Sequence, residues 1–163
     1  MMENPIITKE HVRMKVIYIR FQGTYLEFRK NSRKMFNRLF SFAEKNNLVD
    51  ESFTKVLTIY HDNPYITEDT NLRTSVAMTV PLDASIEEQE DISVLEFSGN
   101  YAILQYELKL NEYDKAWNET YHKWIFPDKT LRLRDTFPFE MYVSEPPRNM
   151  KTSSTTSIFI PIE

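Results

Sequence analysis

Residues 16–28 of this chain read Val-Ile-Tyr-Ile-Arg-Phe-Gln-Gly-Thr-Tyr-Leu-Glu-Phe, and residues 101–113 repeat their hydrophobic pattern as Tyr-Ala-Ile-Leu-Gln-Tyr-Glu-Leu-Lys-Leu-Asn-Glu-Tyr. The two stretches are offset by 85 residues. Two further pairs of segments repeat in the same order at an offset of 82, residues 56–64 with 138–146 and residues 75–80 with 157–162. Such internal similarity predicts a duplicated structural unit of roughly 80 residues. Two similar halves that pack together leave a cleft, so ligand binding is the first functional hypothesis.

We place the repeats at about residues 9–82 and 92–163 of one domain, joined by the acidic connector 83–91. Apolar runs and turn residues predict that each repeat folds as strand, helix, strand and strand. In the first repeat the strands are 16–21, 55–60 and 72–80, and the helix is 28–46. In the second repeat the strands are 93–97, 101–108, 137–143 and 157–162, the helix is 111–126, and a polar loop covers 151–156. This order predicts an α+β fold with partly antiparallel sheets and helices on one face.

Both predicted helices carry an apolar stripe that we expect to face a sheet. In the first helix the stripe consists of Met35, Phe36, Leu39, Phe40 and Ala43. In the second helix it consists of Leu110, Tyr113, Trp117, Tyr121 and Trp124.

The composition excludes several kinds of site. The absence of cysteine excludes disulfides, thiolate nucleophiles and Cys-ligated metals. Only Gly23 and Gly99 are present, so a phosphate-binding loop or a dinucleotide fingerprint cannot form, and no cofactor is predicted. His11, His61 and His122 show no metal-ligand spacing, and no metal site is predicted.

The charge and the hydropathy of the chain limit the partners and the cellular location that we expect for it. A formal net charge of −4 disfavours direct nucleic-acid binding. No apolar run approaches the ~18 residues of a membrane span, so no membrane partner is predicted. The start of the chain lacks the features of a signal peptide, and we expect a cytoplasmic location.

Four motifs in the right order give the chain a resemblance to the GyrI-like family, the effector-binding domain also attached to AraC-type and MerR-type multidrug regulators. They are Ile19-Arg20-Phe21-Gln22-Gly23-Thr24-Tyr25, Ile59-Tyr60-His61-Asp62-Asn63-Pro64, Phe139-Glu140-Met141-Tyr142 followed by Pro146, and the terminal Ile160-Pro161-Ile162-Glu163. The resemblance covers the chain from about His11 to Glu163.

The resemblance implies two modules related by a pseudo-twofold axis, whose sheets form a concave groove with the helices on the outer face. It implies that this groove binds a small organic ligand, often cationic and aromatic. Only a dozen residues precede the first matched strand, which is too few for a DNA-binding head, so a stand-alone domain is expected. Two departures predict an asymmetric pocket. Leu108-Lys109-Leu110 replaces the family's Gly-Pro-Tyr turn, and Thr58 stands at the position equivalent to Glu140.

Glu140 is the principal candidate for ligand binding. Strand alternation places Phe137, Phe139, Met141 and Val143 on one face and Glu140 and Tyr142 on the other. If the apolar face packs on the helices, the carboxylate and the phenol point into the groove. A carboxylate among aromatic rings offers a cation both a counter-charge and π-faces.

The candidate aromatic walls of the ligand site are Tyr25, Tyr60, Tyr106, Trp117 and Tyr142. Tyr60 and Tyr142 are related by the duplication. Trp117 and Tyr106 also fit a second interpretation, in which they are ordinary core residues.

Three functions remain open from the sequence. The first is non-enzymatic capture of a cationic or aromatic compound, for transcription regulation or for drug sequestration. The second, also implied by the family, is hydrolysis of strained cyclopropanoid compounds with Glu140 as general base and Tyr142 or Tyr60 orienting the substrate. The third is a protein-interaction role such as gyrase inhibition, with a protein partner that the sequence does not identify.

Overall fold

The computed structural model describes residues 2–145, 147 and 149–163, so Pro146 of the predicted motif lies outside the described residues. The elements, in chain order, are β1 (Ile6–Gln22), α1 (Tyr25–Lys45), β2 (Val56–Tyr60), β3 (Arg73–Val80), β4 (Ser93–Lys109), α2 (Tyr113–Glu119), β5 (Phe139–Tyr142) and β6 (Ser153–Ile162). Short 3₁₀ helices cover Asp69–Asn71 and Leu110–Glu112, and a π-helical turn, Thr120–Ile125, continues α2. The repeated order of strand, helix, strand and strand confirms the α+β prediction.

The strand registers repeat along with the element order. In β2 and β3, Tyr60 pairs with Thr74, and in β5 and β6, Tyr142 pairs with Thr156. Both residues of the second pair lie 82 positions after their counterparts, which is the offset that the sequence gives. Phe21 of β1 also pairs with Thr74, and Tyr106 of β4, 85 positions later, pairs with Thr156, so positions related by either offset can be compared directly.

The chain divides into two compact units. One consists of residues 13–98, and the other consists of residues 99–163 together with the residues before Arg13. These divisions fall inside β1 and β4, which are each 17 residues long. The predicted strand 93–97 is not separate, because β4 continues through Gly99, whose φ is +148°. The repeat boundaries 9–82 and 92–163 stay a prediction.

In the unit 13–98, β3 lies between β1 and β2 and is antiparallel to both. Helix α1 begins at the N-cap residue Thr24, whose side chain and that of Glu27 form a capping box. One face of the sheet, including Ile17, Ile19 and Val76, packs on the helix. The helix contributes its buried residues Phe28, Leu39, Phe42 and Ala43, with Met35 and Phe36 partly buried.

Phe40 was predicted in this stripe and is 43 % exposed, because Phe42 occupies the core position instead. Phe42 lies three residues after Leu39, a spacing that keeps both rings on the buried side of the helix.

In the unit that contains residues 99–163, β6 lies between β4 and β5, again antiparallel. The loop predicted at 151–156 is wrong from Ser153 onward, because Ser154 and Thr155 pair with β4. Helix α2 is shorter than predicted, since the π-helical turn replaces its second half. Leu110 was expected in the stripe but is 49 % exposed, whereas the other four predicted residues pack on the core.

Among the described residues, no helix is long and apolar enough to cross a membrane.

Candidate functional site

The candidate site lies on the sheet face that α2 covers. Glu140 pairs with Ile158 and Tyr142 with Thr156, and directly paired residues share a face. Ile158 belongs to the core cluster on which Trp117 packs. The condition under which Glu140 and Tyr142 would point into the groove, namely that the face of Phe139 and Met141 packs on the helices, is therefore not met. Alternation separates the two faces of a strand but does not say which of them meets a helix, and here Phe139 is itself fully buried on the other face.

Glu140 is 3 % exposed, and its Oε1 accepts a hydrogen bond of 3.0 Å from the indole Nε1 of Trp117. Trp117 lies one helical turn after Tyr113, so both side chains project from the same side of α2. Burying a carboxylate is unfavourable unless hydrogen bonds or cations compensate it. The indole supplies one such hydrogen bond in the absence of any ligand.

Tyr113 is a site residue that the sequence reasoning placed only in the apolar stripe. Its hydroxyl lies 2.9 Å from Oγ1 of Thr156, which is fully buried beside Tyr142. Burial, followed by the negative charge of Glu140, raises the pKa of Tyr113 to about 12, against the opposing effect of the Thr156 hydrogen bond. The phenol is therefore neutral at physiological pH and lies within the field of the carboxylate.

Tyr106 lies on the same face, and β6 separates its strand, β4, from the strand of Tyr142, β5. It is 2 % exposed, and its hydroxyl lies 2.9 Å from Oγ1 of Thr120, which in turn donates to the carbonyl oxygen of Ala116 at 2.7 Å. Burial raises the pKa of Tyr106. The ring thus forms part of the core and fastens the end of α2 to β4, and its use as a ligand wall stays a prediction.

The other repeat provides an internal comparison for these polar groups. Tyr106, Tyr113, Glu140 and Thr156 stand where the first repeat has Phe21, Phe28, Thr58 and Thr74. Phe21 and Phe28 pack ring against ring, with centroids 6.1 Å apart. Within the described residues, the hydroxyl of Thr74 is buried without a hydrogen-bond partner. The buried polar cluster of Trp117, Tyr113, Glu140 and Thr156 is therefore specific to the second repeat, which agrees with the predicted asymmetry.

Tyr25 and Tyr60 belong to the unit 13–98. Their rings meet edge to face, with centroids 5.7 Å apart, and both are half-buried. Burial, then the charges of Asp62 and Asp69, raises the pKa of Tyr25. The structure thus groups Glu140, Trp117, Tyr106 and Tyr142 in one unit and Tyr25 with Tyr60 in the other.

No group of three or more His, Cys, Asp or Glu side chains among the described residues could hold a metal ion.

Comparison with solved structures gives relatives of the same fold. The C-terminal domain of EcmrR superposes with a TM-score of 0.76 at 14 % identity, over 98 % of each chain. The match to the EcmrR chain in the cryo-EM structure of the EcmrR–DNA complex covers only 57 % of that chain. A hydrolase from Listeria innocua gives a TM-score of 0.65 at 10 % identity, over 95 % of this chain and 91 % of that one. SAV2435, solved bound to tetraphenylphosphonium, gives 0.58 at 12 % identity, over 99 % and 94 %.

At these identities the likeness shows the fold alone. Comparison with curated protein sequences gives no match. The family of GyrI-like small-molecule-binding domains, in contrast, matches residues 2–163. The match agrees with the four motifs, the duplicated element order and the repeated strand registers. The chain therefore belongs to the GyrI-like family of small-molecule-binding domains.

Proposed function

We propose that this protein binds a small lipophilic organic cation, with the Glu140 carboxylate as counter-charge and the rings of Trp117 and Tyr142 as aromatic walls. The observation that carries this proposal is the burial of Glu140, 3 % exposed beneath the indole of Trp117. A carboxylate withdrawn from water attracts a cation strongly, because the low local dielectric weakens screening. Membership in a family of small-molecule-binding domains supports this class of ligand.

Access to the carboxylate requires a movement of Trp117. Its indole N–H donates a hydrogen bond to Oε1 of Glu140, and a cation would take that position. The displaced indole can then present its π-face, which carries partial negative charge, to the same cation. Tyr142 is half-buried on the same sheet face and could form a second wall.

Tetraphenylphosphonium is a suitable probe, because the related protein SAV2435 was solved bound to it. We expect Glu140→Gln to weaken its binding by about tenfold or more, since the variant keeps the shape of the side chain and removes its charge. Glu51→Gln, at an exposed position of the unit 13–98, changes the net charge equally and is the matched control. Triphenylphosphine oxide is aromatic but neutral, so its affinity should show how much of the binding comes from the rings without the counter-charge.

Calorimetric titration of the two variants and the wild-type protein measures these affinities. Equal binding of tetraphenylphosphonium by Glu140→Gln and Glu51→Gln would contradict the proposed role of the carboxylate. Absence of binding to the wild-type protein would contradict cation capture altogether.

Hydrolysis is the second candidate function, and the proximity of Glu140 and a phenol favours it. The field of the Glu140 charge reaches Tyr113, whose raised pKa keeps the phenol protonated. A buried carboxylate can act as general base on water, and a tyrosine can orient or protonate the substrate. Incubation with a cyclopropane-containing electrophile, with mass detection of the water adduct, tests this activity. Retained turnover in Glu140→Gln would exclude Glu140 as the base.

A further inference from the structure

A second polar cluster lies on the other side of the sheet in the unit 13–98. Because Ile17 and Ile19 face α1, alternation places Tyr18 and Arg20 on the opposite face of β1. Arg20 pairs with Ser75 of β3, so these two residues share that face. The ring of His61, just after β2, completes the cluster, since its Nε2 lies 2.7 Å from Oγ of Ser75.

Arg20 supplies an uncompensated positive charge. Its guanidinium carbon lies 5.8 Å from the centroid of the Tyr18 ring, and it is exposed. Within the part of the chain that the structure describes, no carboxylate lies within ion-pair distance of Arg20. The nearby Arg73 differs, because its guanidinium donates two hydrogen bonds to Asp62, at 2.8 and 2.9 Å. The negative charge of Asp62 therefore pairs with Arg73 and not with Arg20.

His61 reports the electrostatic potential at this cluster. The groups that act on its ring include Arg20 and Tyr18 from β1, Arg73 and Ser75 from β3, and Asp62 from its own turn. Burial, followed by the positive charges of Arg20 and Arg73, lowers the pKa of His61 to about 4, against the opposing charge of Asp62. The imidazole is therefore neutral at pH 7 and stands in a positive potential, which favours an anion.

The duplication again supplies a comparison. The positions equivalent to Tyr18, Arg20, His61 and Arg73 carry Ile103, Gln105, Val143 and Thr155, none of which is charged. Ser75 and its equivalent Ser157 are the same residue. A structural requirement of the sheet would apply to both repeats, so the cationic and imidazole groups point to a role that only the first repeat has.

We propose that Arg20, together with Tyr18, His61 and Ser75, binds the oxyanion of a small organic acid, either a carboxylate or a phosphate ester. The planar guanidinium offers paired N–H donors that match such oxyanions. The Ser75 hydroxyl and the imidazole add hydrogen-bonding groups 2.7 Å from one another. The rings of Tyr18 and His61, with centroids 6.3 Å apart, suit an aromatic acid. The residues of this site all belong to the unit 13–98, whereas Glu140 belongs to the other unit.

Titrations followed by NMR of the histidine side chains test the proposal. Benzoate represents a carboxylate, phenyl phosphate a phosphate ester, and benzamide is the neutral control. We expect at least one of the two anions to shift the His61 resonances and to raise the pKa of His61 by about 1 unit, because a bound anion stabilises the imidazolium. His11 and His122, the other two histidines of the chain, serve as internal references that should not respond.

Arg20→Gln, which installs the residue found at position 105, should weaken the binding of that anion by about tenfold. The matched control is Arg33→Gln, on the exposed side of α1, which should bind as the wild-type protein does. The net charge of −4 opposes unspecific anion binding, so unspecific binding should contribute little to the difference between the two variants. If neither anion moves the His61 resonances, or if Arg20→Gln and Arg33→Gln bind equally well, the proposal is wrong.

Discussion

The indole Nε1 of Trp117 lies 3.0 Å from Oε1 of Glu140, so that the one residue of the β5 strand with a charge is covered by an aromatic ring of α2. The hydrogen bond ties α2 to the sheet at the position where a ligand cation would have to enter. The same contact therefore contributes to the stability of the fold and competes with the proposed function.

A double-mutant cycle between these two residues should reveal their coupling. Trp117→Phe removes the donor and leaves a buried carboxylate with one hydrogen bond fewer, so the free energy of unfolding should fall by about 1–3 kcal/mol. In the Glu140→Gln background the same change should be smaller, because an amide is less costly to bury than a carboxylate. Urea denaturation of the four proteins measures the difference. Strictly additive effects would show that the hydrogen bond carries no coupling.

Tyr113 should make the fold sensitive to alkali. Its pKa is raised to about 12 in the folded protein, above the ordinary value of 10.0, so its contribution is complete below pH 10 and is lost as the pH rises towards 12. Tyr113→Phe should lose less stability over this interval than the wild-type protein. Thermal unfolding at several pH values tests this, with Tyr65→Phe, at a position 90 % exposed, as the control. A steeper alkaline loss in Tyr113→Phe would refute the assignment.

His61 should make the fold sensitive to mild acid. Its folded-state pKa is lowered from 6.5 to about 4, so its contribution is complete above pH 6.5 and is lost as the pH falls towards 4. Since the ring is partly exposed, we expect an effect on the order of 1 kcal/mol. His61→Gln should remove this part of the pH dependence, whereas His122→Gln, at an exposed position, should not.

The acid loss due to Asp62 occupies a different interval. Hydrogen bonds from Arg73 lower the pKa of Asp62 below 3.8, so that contribution is lost only at more acidic pH. An unaltered stability profile of His61→Gln between pH 4 and 6.5 would argue against a neutral buried imidazole.

A side chain at position 99 should destabilise the fold. The φ of +148° at Gly99 disfavours other residues, and a Cβ atom there would overlap the guanidinium of Arg134. That guanidinium donates to the carbonyl oxygens of Ile162 and Asn100 at 3.1 and 3.2 Å. Gly99→Ala should therefore lower the free energy of unfolding by about 2–4 kcal/mol.

Arg134→Ala is the companion variant for Gly99→Ala. In its background the alanine at position 99 should cost less, because the overlap is gone while the backbone strain remains. Chemical denaturation of the single and double variants measures how much of the loss in the free energy of unfolding comes from the overlap and how much from the backbone strain. An equal cost in the two backgrounds would mean that Arg134 does not restrict position 99.

The element order could be predicted because it follows from periodic hydrophobic patterns, and the family because four motifs of the sequence resemble those of its members. The repeated offsets of 85 and 82 also predicted which positions are equivalent, and the pairing of Tyr60 with Thr74 and of Tyr142 with Thr156 agrees with them. Such patterns record the alternation of side chains, which the strand geometry fixes.

The orientation of β5 was not predictable in this way. Both of its faces are buried, with Phe139 stacked on Phe159 at 4.4 Å on one side and Glu140 beneath Trp117 on the other. Hydropathy cannot decide which face of such a strand meets a helix. The contribution of Tyr113 was missed as well. The sequence held a signal for it, because Tyr113 stands at the position where the first repeat has Phe28 and so places a hydroxyl at a core position.

The π-helical turn after α2 had no signal in the sequence. It is defined by the bond from the Phe126 N–H to the Tyr121 carbonyl oxygen, at 2.8 Å, and helical periodicity alone favours an ordinary α-helix there.

The difference in length between α1 and α2 has a consequence for local opening. Helix α1 has 21 residues and a capping box, whereas α2 has seven residues and continues only as the π-helical turn Thr120–Ile125, so it is too short to be stable without tertiary contacts. The backbone amides of α2 should therefore exchange with solvent by a local opening that costs less than global unfolding. Trp117 and Tyr113 are among the contacts that resist this opening. The side chains that cover Glu140 therefore also influence how often it becomes accessible.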